Sequence, residues 1–104
     1  MAWVYLGVAG LLEIVWAYAL KQSAGLMKPV EAAIAIVAMI ASFGVLSLAM
    51  KSLPLGTAYT IWTGIGAVGA FVLGVAMMGE AMSPLRVVSA ALILAGIVGL
   101  RLAA

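Results

Sequence analysis

No charged residue interrupts the chain between Leu55 and Met78. As a helix, a run of that length crosses the hydrocarbon core of a bilayer, which takes about 20 apolar residues. Three further apolar stretches flank it, at about residues 2–20, 29–50 and 84–102, and all the charged residues but Glu13 fall between them or near their ends. Four spans use up the 104 residues and leave nothing for a soluble domain. Only 8% of the residues are charged and 68% are hydrophobic, whereas a soluble domain carries about 25% charged residues. Transmembrane strands alternate apolar and polar residues, and these runs do not. The expected fold is therefore an all-α integral membrane protein, a single four-helix domain over residues 1–104.

The breaks between the runs carry turn chemistry. Lys21-Gln22-Ser23-Ala24-Gly25 ends the first helix, with Gly25 expected as its C-terminal cap. Pro29 suits a first helical turn, where no N–H is needed, and Glu31 suits the same turn's dipole. Lys51-Ser52-Leu53-Pro54 forms a tight connection, and Gly79-Glu80-Ala81-Met82 the next loop. Ser83-Pro84 reads as N-cap and first-turn proline. Arg86 and Arg101 can snorkel to the interfaces, and Glu31, Glu80 and the lysines read as solvated loop charges.

Several function classes fall away. The chain has no cysteine and no histidine, so disulfides, thiol chemistry, haem ligation and most zinc sites are excluded. Nucleophilic catalysis lacks its base, since no histidine and no lysine lies inside a span, and no enzyme activity or cofactor is expected. Five basic residues spread over short loops make no nucleic-acid patch. Gly64-Ile65-Gly66-Ala67-Val68-Gly69 matches G-x-G-x-x-G only formally: no strand precedes it, and residues 81–95 hold no acidic residue. Ala17-Tyr18-Ala19 resembles a signal-peptidase site, but no Lys or Arg precedes it and Glu13 sits in the would-be apolar region. The first helix is expected to stay.

Glu13 is the only charge between Met1 and Leu20. A carboxylate at the centre of a span costs about 2.5–3.5 kcal/mol on insertion scales, and such residues usually serve function. Ala9, Gly10, Trp16 and Ala17 share its helix face. Burial disfavours the charged form, so the carboxyl can take a proton or a cation near neutral pH, and loading one expels the other. The alternative is a neutral carboxyl acting as polar glue between helices. Tyr59, Trp62, Thr63 and Gly66 make a second polar-aromatic face on the third helix, with Trp62 and Thr63 deep enough for a pocket. Ser42 is a mid-span hydroxyl that either bonds back to its own helix or reaches the Glu13 carboxylate. Gly66, Ala70 and Gly74, and Ala91, Ala95 and Gly99 with Gly96, form small-xxx-small seams for helix contact. A planar cation with in-plane donors fits carboxylates and stacked indoles, and guanidinium is such an ion.

Loops one and three hold Lys21, Lys28 and Arg86. The other side holds Lys51, Arg101 and the amino terminus. The positive-inside rule therefore gives almost no preference. One sequence can insert both ways, and two opposed copies make the inverted pair that many transporters build within one chain.

These residues resemble the small multidrug resistance family over essentially the full length, and its guanidinium-exporter subtype in particular. The resemblance is carried by Glu13 and Trp16 in LLEIVWAYALK, by Ser42, and by KSLPLGTAYTIWTGIGAVGA at residues 51–70. It implies an antiparallel, dual-topology homodimer in a bacterial inner membrane that exports guanidinium against inward proton flow. It implies that Glu13 is the shared proton and substrate carboxylate, hydrogen-bonded by Trp16 and Ser42. Tyr59 and Trp62 would line the site, with Tyr59 also a gate. Gly64 and Gly66 would let the third helix kink, and Gly96 and Gly99 would help fourth helices dimerise. The competing readings are export of quaternary ammonium or other hydrophobic cations, a proton carrier like an ATP-synthase rotor hairpin, and a purely structural subunit.

Overall fold

A computed structural model describes residues 1–103 as four helices: α1 Ala2–Gln22, α2 Pro29–Ala49, α3 Leu55–Met78 and α4 Pro84–Ala103. Each is long and apolar enough to cross a membrane. Their ends follow from local chemistry. Lys28 is extended (φ −92°, ψ 114°), as the residue before a proline prefers, and Pro29 then opens α2. The Ser83 hydroxyl accepts the Arg86 amide at 3.2 Å and so satisfies one of the free N–H groups at the start of α4. Gly79, left-handed at φ 69°, closes α3 with its N–H on the Gly74 carbonyl, which also accepts the Glu80 amide at 3.0 Å.

The end of α1 departs from expectation. Ser23, not Gly25, is the cap. Its hydroxyl donates to the Leu20 carbonyl at 2.6 Å and accepts the Leu26 amide at 3.0 Å. A hydroxyl does both at once, which glycine cannot. Gly25 lies further on, in a left-handed run with Ala24 and Leu26 (φ 74°, 52° and 69°). The two non-glycine residues cost about 1–2 kcal/mol each in that conformation, offset by the doubly bonded, fully buried Ser23.

α1 packs against both α2 and α3, which barely touch each other, and α4 packs mainly on α3, with Arg101 also lying over the Trp3 ring of α1, 4.3 Å from its centroid. The core joins Leu6 and Ala9 of α1, Leu46 and Ala49 of α2, and Ala58, Ile61 and Trp62 of α3. Small side chains bring the backbones close, and Ala9, Ala35, Ala49 and Ala58 are all fully buried. A methyl group at Gly10 would lie 2.6 Å from Ile65 Cγ2, so α1 meets α3 closer than alanine permits. Val37, Ile40, Leu92 and many other large apolar side chains point outward, as the hydrocarbon around a spanning helix allows. No residue of α4 is buried.

Candidate functional site

The α1–α3 contact places Glu13. A methyl at Gly66 would overlap its carboxyl group, so the side chain lies directly on the α3 backbone. Gly66 is thus the floor of the site. Glu13 Oε1 is buried and has no hydrogen-bond partner among the described residues. Trp16 Nε1, three residues on and therefore on the same helix face, is also buried and unpartnered. An acceptor and a donor left unpaired like this cost about 1–3 kcal/mol each, and buried groups of that kind point to a ligand or a functional role.

Ser42 does not bond the Glu13 carboxylate, and it does not bond back to its own helix. Its hydroxyl donates to the Ala9 carbonyl at 2.7 Å and accepts the Trp62 indole N–H at 3.0 Å. Trp16 makes no bond to Glu13 either. Its ring meets Phe43 edge-on, with centroids 6.5 Å apart. Ser42 is therefore the knot that ties α1, α2 and α3 together, one turn from Glu13. Both of its bonds are buried, and Ser42→Ala is expected to weaken cation binding by about 1–3 kcal/mol. Tryptophan fluorescence titration, with Trp62 as reporter, measures the change.

Four aromatic rings form a row beside the carboxyl. Trp16 meets Phe43, Phe43 meets Trp62 at 5.7 Å, and Trp62 meets Tyr59 at 5.6 Å. Trp62 is buried and Tyr59 is half-exposed at the end of the row. Phe43 is the member that the sequence did not single out. The one signal for it is adjacency to Ser42 on α2. Thr63 does not share the Trp62 pocket. It faces a groove of about 510 Å³ between α3 and α4, lined also by Tyr59, Gly64, Gly96 and Ile97.

The other glycines divide by role. A methyl at Gly64 would lie 2.8 Å from Ile97 Cδ1, so Gly64 seats α4 on α3. α3 is helical without a break from Leu55 to Met78, so Gly64 and Gly66 act here as packing surfaces. Gly96 and Gly99 face open space on α4.

Among known proteins, the model of the Small Multidrug Resistance protein family matches residues 1–93. The chain belongs to the small multidrug resistance family. Its relatives include proteins named guanidinium exporter from Yersinia pestis, 55% identical over 99% of both chains, and from Salmonella typhimurium, 54% identical over 100% of this chain and 99% of the relative. The Escherichia coli K12 protein of the same name is 52% identical over 98% of this chain and 97% of its own. With four spans, family membership makes the chain a multi-pass transporter of the bacterial inner membrane.

Proposed function

We propose that the protein exports guanidinium and small guanidinyl ions in exchange for protons, with both cargoes competing for Glu13. The observation that carries this reading is the buried, unpartnered Glu13 oxygen at the foot of the aromatic row. A carboxylate pairs with the N–H fork of guanidinium, and aromatic faces stack on its plane. Trp16, Ser42, Tyr59 and Trp62 shape the site, with Ser42 acting through Trp62 and Tyr59 gating its open end. Protonation of Glu13 removes the charge that holds the cation, so alternating access converts the competition into antiport.

The working unit is an antiparallel homodimer. One copy supplies one carboxylate and an open-sided row of rings, and a second copy supplies the facing half. No residue of α4 is fully buried within its own chain, and Gly96 and Gly99 offer a flat face for the partner's α4. Gly64 and Gly66 let α3 bend differently in the two copies. The charge balance across the loops supports both insertions. Cysteines placed at the carboxyl terminus are expected to label from both sides of the membrane in similar amounts. Labelling from one side alone would discard the antiparallel homodimer.

The second reading, export of quaternary ammonium ions, draws on the same rings, because cations of that kind bind aromatic cages. They have no N–H to offer a carboxylate. In reconstituted vesicles, a guanidinium gradient is expected to drive protons, and tetramethylammonium or tetraethylammonium gradients to drive few. Equal proton movement for both classes would replace the guanidinium reading with the second.

A further inference from the structure

Glu80 is a second carboxylate that the fold draws back onto a helix. Its side chain folds over α3, where a methyl at Gly74 would lie 2.6 Å from its Cδ. Arg86, in the first turn of α4, donates from Nη2 to Glu80 Oε1 at 3.0 Å. The same guanidinium lies over the Phe71 ring, with Cζ 5.2 Å from the centroid. A guanidinium group thus rests between a carboxylate and an aromatic face, the recognition chemistry argued for the central site. Glu80 is accordingly not a free loop charge. The two side chains are 43% and 39% exposed, and exposed pairs of this kind are weak and open to exchange.

The position matters as much as the chemistry. On its other flank Glu80 lines a cavity of about 170 Å³ with Tyr18, Lys21, Ala70 and Gly74. Phe71 and Arg86 do not line this cavity; they line a neighbouring groove of about 400 Å³ with Ala67, Val68 and Ser89, which Glu80 reaches through its bond to Arg86. Lys21 lies two turns beyond Glu13 on α1, and Gly74 lies two turns beyond Gly66 on α3. At 1.5 Å per residue the cavity is roughly 12 Å from the Glu13–Gly66 contact along the same seam.

We propose that Glu80 and Phe71 form an outer guanidinium-binding station at the loop end of the α1–α3 seam, held at rest by the guanidinium of Arg86. The proposal rests on the guanidinium reading of the function. Free guanidinium takes the place of the tethered one against Glu80 and Phe71, and the displaced Arg86 side chain turns out to solvent. Binding is measured by equilibrium dialysis of labelled guanidinium against the purified dimer carrying Glu13→Gln, which silences the central carboxylate. Weak residual binding is expected. It should rise about two- to fivefold when Arg86→Gln removes the tethered rival, the change implied by an exposed ion pair. Glu80→Gln should abolish it, and Phe71→Leu, which keeps both charges, should weaken it. Tetramethylammonium should not compete. The station is overturned if Arg86→Gln fails to raise the residual binding, if Glu80→Gln leaves it intact, or if tetramethylammonium displaces guanidinium equally. Wild-type protein measured in parallel reports on Glu13 itself, so failure of the central reading is seen separately.

Discussion

Glu13→Gln is expected to abolish proton-coupled guanidinium transport and central-site binding while leaving the dimer assembled. Glutamine keeps the length of the side chain and its fit against Gly66, so α1 and α3 stay in register. What it removes is the charge and the titration. No other acidic residue lies in α1, and none lies in α3 or α4, so no carboxylate within those helices can substitute. The core that joins α1, α2 and α3 is built from apolar residues elsewhere, and assembly in this reading runs through α4. In the unaltered protein, guanidinium affinity should fall as pH drops, because each proton bound at Glu13 removes the anion that pairs with the cation. Tryptophan fluorescence titrations at several pH values, with Trp16 and Trp62 as reporters, give the profile. Affinity that does not change with pH, or undiminished transport by Glu13→Gln, would sink the shared-carboxylate mechanism.

The four helices were legible because the apolar runs are long and their breaks hold Pro29, Ser83 and Pro84, residues whose backbone preferences act locally. Glu13 was legible because one charge in an apolar span has no cheap explanation. What stayed hidden is which way each apolar side chain faces. In a soluble protein, the contrast between polar and apolar faces reveals the core. In a membrane both faces are apolar, and the contrast vanishes. Phe43 was invisible for this reason, since nothing in its span separates a lipid-facing phenylalanine from one seated between two tryptophans. The partners of Ser42 were hidden for a related reason. Sequence spacing reports neighbours on one helix, whereas Ala9 and Trp62 lie on two others. The same holds for Glu80, whose bond to Arg86 depends on the chain folding back over Gly74. Gly25 misled because a glycine after an apolar run usually caps a helix, and here a serine two residues earlier satisfies the donor and the acceptor together.

Gly66→Ala should cost nearly as much activity as the loss of Glu13, though no polar atom changes. A methyl there would overlap the Glu13 carboxyl. The helix itself gains from the exchange, since alanine is favoured over glycine by about 1 kcal/mol within a helix. The carboxyl is the far end of a flexible side chain, so it gives way before the backbones part, and the fold should survive. The displaced carboxyl then leaves the foot of the aromatic row, and the cation loses one half of its carboxylate-and-ring site. Binding is expected to weaken about tenfold or more, equivalent to about 1.4 kcal/mol or more, with thermal stability near that of the parent. Gly7→Ala is the matched control, because a methyl at Gly7 meets nothing within 4 Å and should leave binding and transport unchanged. The comparison separates site geometry from general packing. If Gly66→Ala bound guanidinium as well as Gly7→Ala, the α3 backbone would not be the surface that positions Glu13, and the site described here would have to be redrawn around a carboxyl that points elsewhere.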